Sequence, residues 1–366
     1  MTRTGAMTRT GAMTRAGAMT RAERVAHFLA EHGYAGAEAA PLAQDASFRR
    51  YLRIAGGGVL DDAVLMDAPA PEDVRPFLHV AQHLRGIGLS APAILAADAE
   101  AGLVLEEDLG DELFAALLDR GHDHRTLFIP AVDALIALQR AAPPSGLPAW
   151  DASQMRDATL GTLFDWWWPA AFGGAAPSQA KTEVAGALDA MLRPVAIGPL
   201  CFVHRDYFAG NLLWLPERIG IGRAGIGRNG IGRNGIGRVG IIDFQGAAIG
   251  HPAYDLASLL QDARRDIPDA VQADAIAHYL RQRPEIDPAT FMDAFHACAA
   301  QRHLRVACQW VRLALRDGKP HYLAYAPRTW RLLEKALTHP ATAPLAAALD
   351  RWVPAHRRGV PPGLDA

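Results

Sequence analysis

The sequence predicts an α+β fold in which a small, strand-rich N-terminal part precedes a larger, mainly helical part. Alternation of apolar and polar residues, which is typical of strands, is concentrated in roughly the first hundred residues. Helical spacing of apolar residues dominates from Glu112 to about Trp352. Strands and helices that are segregated along the chain in this way are typical of α+β proteins. Half of the 366 residues are hydrophobic, so the chain can bury a sizeable core.

Three strands and two helices are predicted in the N-terminal part. Apolar and polar residues alternate over residues 47–54, which predicts a strand with two different faces. The apolar face is formed by Phe48, Leu52 and Ile54, and the basic face by Arg49, Tyr51 and Arg53. Glycines at 56–58 predict a turn into a second strand at 59–66, and residues 103–105 predict a short buried strand. Helical spacing predicts helices at 23–32 and 76–86.

The remainder of the chain is predicted to be helical, with two short interruptions. Helices are expected at 113–118, at 127–140 and from Leu256 to about Trp352. Strands are expected at 212–215 and 239–244. A small strand-rich lobe beside a large helical lobe leaves a cleft, and a cleft of this kind is where we expect a ligand.

Two repeats affect the predicted domain boundaries. Residues 1–22 repeat MTRTGA, and this segment is basic and free of acids, as transit peptides are. Its period of six residues matches neither a helix nor a strand, which favours a disordered tail. Residues 221–240 repeat a glycine-rich pentad, IGRxG, and predict an insertion whose arginines either are solvated or contact phosphate or nucleic acid. We therefore predict an N-lobe at 23–109, a C-lobe at 110–352 that contains this insertion, and a tail at 353–366.

Charge and cysteine content exclude several classes of protein. The formal net charge of −2 does not suggest a nucleic-acid or membrane-surface partner. Cys201, Cys298 and Cys308 lie in apolar surroundings without paired spacing, which predicts buried thiols and a cytoplasmic location. No apolar run approaches the roughly 20 residues of a membrane helix.

Two polar motifs carry the predicted chemistry. Residues 204–211 read HRDYFAGN and run into the apolar strand at 212–215, and residues 241–244 read IIDF. Phosphoryl transfer requires a residue that accepts or positions the acceptor hydroxyl, together with oxygen ligands for magnesium on the nucleotide phosphates. Asp206 suits the first task, and Asn211 and Asp243 suit the second. The alternative is that Asp206 and Asp243 only cap a turn and a strand end.

Seven segments resemble a known family. The chain from about Glu23 to Trp352 resembles the aminoglycoside-phosphotransferase and choline-kinase-like superfamily, and within it the branch of the N-acetylmuramate/N-acetylglucosamine anomeric kinases of cell-wall recycling. The segments that carry the resemblance are DASFRRYLR at 45–53, VLMDAP at 64–69, GLVLEEDLGD at 102–111, HRDYFAGNLLW at 204–214, IIDFQGA at 241–247, PAYDLASLLQDARRD at 252–266 and RDGKPHYLAYAPR at 316–328. The resemblance implies a protein-kinase-like two-lobed fold, ATP and Mg²⁺ as cofactors, and a small-molecule acceptor.

The resemblance also implies individual roles. Asp206 is similar to the catalytic Asp, and Asn211 and Asp243 are similar to the metal ligands. Asp255 is similar to the buried Asp that binds the backbone amides of the catalytic loop, which His204 is expected to brace. The remaining implied cofactor-binding residues are those of the hinge, Glu106, Glu107 and Asp108, and those facing the phosphates, Ser47, Arg49 and Arg53.

Two positions depart from the family pattern. The strand that carries a phosphate-binding lysine in kinases reads Val64, Leu65, Met66 and has no lysine nearby. Arg49 or Arg53 is the expected replacement, because the guanidinium fork suits phosphate; the alternative is an exposed basic strand. The glycine that follows Asp-Phe in protein kinases is Gln245.

The acceptor site is the least constrained part of the prediction. Asp165 among the neighbouring rings of Trp167 and Trp168 suits a sugar, although the same rings suit a helical core equally well. A second aromatic and basic cluster favours core packing over an acceptor pocket; it contains Trp310, Tyr322, Tyr325, Arg328 and Trp330. An amino sugar is the expected acceptor. An aminoglycoside, choline or homoserine kinase and a nucleotide-binding pseudokinase scaffold are the alternatives, and the sequence leaves the oligomeric state open.

Overall fold

An antiparallel sheet of five strands forms the first part of the fold. The computed structural model describes residues 19–42, 49–58, 60, 62–216 and 236–364. The strands are β1 (Glu38–Pro41), β2 (Arg50–Ala55), β3 (Asp62–Asp67), β4 (Ile94–Asp98) and β5 (Leu103–Glu107), in the order β1-β2-β3-β5-β4. Strands β2, β3 and β5 confirm the three predicted strands, whereas β1 and β4 were not predicted because their sequences, EAAP and ILAAD, lack clear alternation.

The two faces of this sheet have different partners. Leu52 and Ile54 of β2 pack with Phe28 and Leu29 of helix α1 (Arg21–Glu31), which covers the outer face. Tyr51, which directly precedes Leu52 and so points to the opposite face, packs instead toward the core of the helical part. The alternation predicted for this strand is therefore confirmed, and its polar face lies toward the rest of the molecule.

Helix α1 begins earlier than predicted. Thr20 and Glu23 form a capping box, in which each side chain accepts a hydrogen bond from the other residue's backbone amide, so that the first helical residue is Arg21. The Arg21 guanidinium forms an ion pair with buried Asp67 of β3. Residues 21 and 22, which were predicted to belong to the tail, thus lie in this helix, and residues 1–18 lie outside the described part of the chain.

Helices dominate the rest of the chain, which confirms the α+β class. The bounds are α2 (Arg75–Gly86), α3 (Phe114–Asp119), α4 (His124–Arg140), α5 (Ala152–Thr162), α6 (Trp168–Phe172), α7 (Ser178–Met191), α8 (Arg193–Ile197), α9 (Ala253–Leu260), α10 (Asp269–Gln282), α11 (Pro288–Asp317), α12 (Ala326–Ala336) and α13 (Ala343–Trp352). A π-helical turn spans Leu163–Trp167, and short 3₁₀ turns span Ala209–Asn211, Ile236–Arg238, Pro320–Tyr325, Pro340–Thr342 and Ala355–Arg357. The 30-residue helix α11 packs against α5, α9 and α12 at the centre of this lobe.

Two small sheets lie among the helices. One has the order β6-β10-β7 and consists of β6 (Ala149–Trp150), β7 (Cys201–Val203) and β10 (Ala248–Gly250). The other is an antiparallel pair, β8 (Leu212–Trp214) and β9 (Val239–Ile241), in which Leu212 is opposite Ile241. The predicted strands at 212–215 and 239–244 are thus confirmed with shorter bounds, and the two motifs that precede and follow this pair are brought together.

The described residues of the segment predicted as a tail at 353–366 pack against the helical part. Val353 is fully buried. The indole Nε1 of Trp167 donates a hydrogen bond to the carbonyl oxygen of Gly359 over 3.0 Å. Arg358 forms ion pairs with Glu334 and Asp350. The segment therefore belongs to the helical lobe through residue 364.

Cys201, Cys298 and Cys308 are free and buried, as predicted. No helix in the part of the chain that the structure describes is long and apolar enough to cross a membrane.

Candidate active site

The loop after β7 places Asp206 at the surface of the interlobe cleft. The turn is unusual because Arg205 has a φ of +75°, in the left-handed region that residues other than glycine rarely adopt. Asp255 at the start of α9 accepts hydrogen bonds from the amides of His204, over 2.6 Å, and Arg205, over 2.9 Å. These two bonds fix the turn, so the Asp206 side chain projects from a constrained backbone.

His204 connects this loop to the strand pair. Its ring is fully buried, and burial lowers its pKa, so the imidazole is neutral at physiological pH. Its Nδ1 accepts a hydrogen bond from the Asp206 amide at 3.3 Å. A neutral ring with an accepting Nδ1 carries its proton on Nε2, which therefore donates to the carbonyl oxygen of Ile242 at 3.1 Å. His204 thus links the backbone at Asp206 to the residue before Asp243.

Asn211 and Asp243 lie side by side at the end of the β8–β9 pair. The Asn211 side-chain nitrogen donates to the backbone carbonyl oxygen of Asp206 at 3.0 Å and to Asp243 Oδ2 at 3.4 Å. Since the amide nitrogen makes both bonds, the amide oxygen of Asn211 is the atom that is left to face a cation. Asp243 has a φ of +61°, and Gln245 donates to its Oδ1 at 2.6 Å. The three predicted residues of the HRDYFAGN and IIDF motifs are therefore brought to one point.

A cleft of about 630 Å³ separates the sheet from the helical lobe and includes this point. Asp206, Asn211 and Asp243 line it from the helical side, and Arg49, Tyr51, Arg53, Val64 and Glu106 line it from the sheet side. The cleft adjoins a second cavity of about 450 Å³, because Phe208, Gly210, Asp262 and Arg264 line both.

The two strand arginines differ in their surroundings. Arg53 forms ion pairs with Asp108 and Asp111, so its charge is already balanced by two carboxylates. Arg49 is buried and pairs with Glu72 through Nε at 2.9 Å. Both Arg49 and Asp243 act electrostatically on Tyr51, which the sequence prediction overlooked. Arg49 is consequently the better placed of the two to reach phosphates near Asp243. Ser47 lies outside the described residues.

The hinge acids have unequal environments. Glu106 is buried, and burial raises the pKa of its carboxyl to about 8, with a smaller contribution from nearby Asp108. Glu107 Oε2 accepts a hydrogen bond from the Ala93 amide at 3.2 Å, and Asp108 Oδ1 accepts one from the Gly110 amide at 2.7 Å. The side chains of Glu107 and Asp108 therefore shape the hinge backbone, while Glu106 is directed into the cleft.

The predicted acceptor residues do not line the cleft. Trp167 is fully buried and packs on Trp330 with ring centroids 5.3 Å apart, and Trp168 is buried beside Phe172. Asp165 is exposed on the same turn but is not among the residues that line the cleft. The π-helical turn places both tryptophans in the core between helices, and a role for the three residues in acceptor binding stays a prediction that this cleft does not support.

Helix α11 lines the helical side of the cleft instead. Arg302, Arg305 and Gln309 face it, as does Trp310, whose ring stacks on Tyr322 at 5.4 Å. The spacing of three and four residues puts the first three side chains on one face of a helix that is otherwise apolar there. That spacing was the available signal, and the sequence prediction overlooked it. Trp310 of the second aromatic cluster lines the cleft, whereas Trp330 is core.

Comparison with known proteins identifies the family. Residues 38–222 and 233–291 match the phosphotransferase enzyme family. This chain belongs to the phosphotransferase enzyme family. An N-acetylmuramate/N-acetylglucosamine kinase from Caulobacter vibrioides is 35% identical over 377 residues, covering 91% of this chain and 97% of that protein. A protein of the same name from Pseudomonas aeruginosa is 36% identical over 308 residues, covering 82% of this chain and 84% of that protein.

Solved structures show the same architecture. A choline kinase from Cryptosporidium parvum, 13% identical, gives a TM-score of 0.56 and covers 89% of this chain and 99% of that chain. An ADP-bound aminoglycoside phosphotransferase, also 13% identical, gives a TM-score of 0.52 and covers 86% of this chain and 98% of that chain. The protein-kinase-like two-lobed fold is therefore confirmed. This phosphotransferase is an enzyme that transfers a phosphoryl group from a nucleotide to the hydroxyl of a small molecule.

Proposed function

We propose that this phosphotransferase transfers the γ-phosphoryl group of ATP to the anomeric hydroxyl of N-acetylmuramate and N-acetylglucosamine. One observation carries the proposal: the phosphotransferase covers nearly the whole length of a 35% identical kinase that is named for these two sugars. The cleft supports it, because the carboxylate of Asp206 is exposed there beside Asn211 and Asp243.

Asp206 is the proposed catalytic residue. Its carboxylate would accept the proton of the sugar hydroxyl while that oxygen forms a bond to the γ-phosphorus and the bond to the departing ADP oxygen breaks. The hydrogen bonds of Asp255 and His204 to this loop hold the Asp206 backbone in place, so the position of the Asp206 backbone does not depend on substrate binding.

Asn211 and Asp243 are the proposed ligands of Mg²⁺. Their donor set fits the ion, because an amide oxygen and a carboxylate are the hard ligands that Mg²⁺ uses alongside substrate phosphates. No group of three or more His, Cys, Asp or Glu within residues 19–42, 49–216 and 236–364, as far as these are described, could hold a metal. The phosphates of the nucleotide would therefore complete the coordination. When bound, Mg²⁺ neutralises charge on the transferred phosphoryl group.

The sheet side of the cleft is the proposed ATP site. The hinge backbone from Glu106 to Asp108 would contact adenine, and Arg49 would replace the missing strand lysine at the phosphates. Arg53 would contribute less, since Asp108 and Asp111 already neutralise it. A cytoplasmic location agrees with an ATP requirement and with the three free thiols.

An acceptor panel tests the proposal. The purified full chain would be assayed with ATP and magnesium against N-acetylmuramate, N-acetylglucosamine, choline, homoserine and an aminoglycoside, and the position of the phosphate would be determined by ³¹P and ¹H NMR. We expect the 1-phosphates of the two sugars. Phosphorylation of choline, homoserine or the aminoglycoside without either sugar would overturn the proposed acceptor, and absence of any turnover would favour a scaffold.

A further inference from the structure

Two arginines on the cleft face of α11 have no role in the proposed chemistry so far. Arg302 and Arg305 are one helical turn apart and both line the cleft, on the helical side with Asp206. Arg305 lies close enough to Asp206 for that carboxylate to stabilise its positive charge. Arg302 lies about 4.5 Å from Arg305 along the helix axis, and therefore about one helical turn away from the end of the cleft that contains Asp206.

The two side chains differ in how many of their donors have partners, because among the described residues Arg305 lacks one only at Nε. Arg305 donates to Gln309 Oε1 at 2.9 Å and to the Tyr254 hydroxyl at 3.3 Å. Arg302 is only 5% exposed, and its Nε and Nη1 atoms are buried without a hydrogen-bond partner among the residues that the structure describes. A buried guanidinium with unused donors is costly unless a ligand supplies acceptors.

An acid in the vicinity, Asp262, does not satisfy Arg302. Asp262 is near enough to interact with it electrostatically, but its Oδ1 accepts the Arg264 amide at 2.8 Å and its Oδ2 lies 3.7 Å from Arg265 Nε. No ion pair joins Arg302 to Asp262 in the described part of the chain. Arg302 lines the cleft, and neither Nε nor Nη1 is paired within the described residues, which indicates a site for an anionic group of a ligand.

We infer that Arg302 binds the carboxylate of the acceptor sugar and that Arg305 flanks this subsite. The inference rests on the proposed function, since N-acetylmuramate carries a carboxylate that N-acetylglucosamine lacks. The planar guanidinium group of arginine can donate two parallel hydrogen bonds to a carboxylate, and its positive charge repels cations. The same two charges disfavour cationic acceptors such as choline and aminoglycosides. Arg302 is consequently a specificity-determining residue for the acid-bearing sugar.

The experiment compares kcat/KM for the two sugars. In the wild type, the methyl ester of N-acetylmuramate should be a poorer substrate than the free acid by roughly tenfold or more, the usual effect of losing a hydrogen bond to a charged group. Arg302→Gln should lower the ratio of kcat/KM for N-acetylmuramate to that for N-acetylglucosamine by roughly the same factor, mainly through KM. Arg302→Lys should give an intermediate ratio. Arg316→Gln, which removes an exposed charge from the same helix, should leave the ratio unchanged.

The outcomes separate the two proposals. A wild type that phosphorylates neither sugar would overturn the proposed function and this inference together. A wild type that is active on both sugars but indifferent to esterification, or an Arg302→Gln variant with an unaltered ratio, would overturn the carboxylate subsite alone. If Arg302→Gln does not fold, the ester comparison and Arg302→Lys still decide the question.

Discussion

Asp255 shows how single residues shape this site. Its carboxyl group is fully buried, and burial raises its pKa. Nearby His204 and the hydrogen bonds from the amides of His204 and Arg205 lower the pKa and so oppose this effect. Next to it, Arg205 and Asp243 both have positive φ angles, which cost energy in residues other than glycine. The Asp255 bonds offset this cost at Arg205 and so connect a buried acid to the placement of Asp206.

Replacement of Asp206 tests its role at the reacting centre. Asp206→Asn should lower kcat by roughly 10²–10⁴-fold, because acceptance of the proton is lost. MgATP affinity, measured by calorimetry, should change little, and the melting temperature should be preserved because the side chain is exposed. Turnover close to that of the wild type would rule out Asp206 as the base.

Glu106 predicts a pH dependence of stability. Its folded pKa of about 8 lies above the unfolded value of 4.5, so the folded protein holds the proton more tightly. The stability contributed by the neutral carboxyl is complete below the unfolded value and is lost as pH rises from about 4.5 to about 8. Glu106→Gln is neutral throughout. The melting temperature of the variant minus that of the wild type should therefore increase as pH rises from about 4.5 to about 8 and stay constant above that range.

Thermal melts of both proteins between about pH 5 and pH 9 would show this difference directly. A difference that is constant with pH would mean that Glu106 ionises normally in the folded protein and that its burial is relieved by water.

At the scale of elements, the β8–β9 pair assembles the two residues that we propose bind the metal. Leu212 opposite Ile241 fixes Asn211 against Asp243, and the amide of Ile242 donates to the carbonyl oxygen of Asn211 at 3.1 Å. The glycine-rich repeat is inserted between these paired strands. The family match also breaks between residues 222 and 233. Hairpin loops are usually about 2–5 residues, so the strand pairing does not need this length.

Deletion of residues 221–235 should leave kcat/KM within about threefold of the wild type. The connection that remains between β8 and β9, LPERIGIGR, is long enough for a turn, and loop shortening changes the free energy of unfolding by only about 0.6 kcal/mol per halving of length. The melting temperature should be unchanged or slightly higher. A matched variant, Arg223→Ser with Arg228→Ser and Arg233→Ser, retains the length and removes charge. A tenfold loss of activity in either variant would reveal a role for the repeat.

At the scale of the whole molecule, the cleft depends on both lobes. Tyr51 of the sheet interacts electrostatically with Asp243 of the helical lobe, and residues of both lobes line the cleft, so the cleft exists only when the two lobes are apposed. A ligand that contacts both lobes stabilises the folded chain by binding to it and not to the unfolded chain.

MgATP at 100 times its Kd should therefore stabilise the protein by about 2.7 kcal/mol, seen as a rise of a few degrees in melting temperature. In the Asp243→Ala variant, MgATP should raise the melting temperature no more than ATP does in the presence of a chelator that removes magnesium. An equal rise in the variant and the wild type would remove Asp243 from the metal site.

The sequence alone determined the fold class, most strand and helix positions, and the phosphotransfer motifs. Alternation on β2 and helical spacing after Glu112 are local patterns, and local patterns report directly on secondary structure. The spacing of Asp206, Asn211 and Asp243 is likewise visible in the chain itself, because each motif occupies a few consecutive residues. The predicted roles of these three residues await the variants described above.

Only the tertiary structure decided which other side chains reach the cleft. Trp167 and Trp168 suited a sugar site by composition, yet helix packing buries them, while Arg302 of α11 faces the cleft from 96 residues beyond Asp206 in sequence. The packed segment after Trp352 and the pairing of Arg21 with Asp67 were equally invisible in the sequence. The physical reason is that burial and long-range charge pairing depend on how whole helices and sheets pack, and no local spacing records that packing.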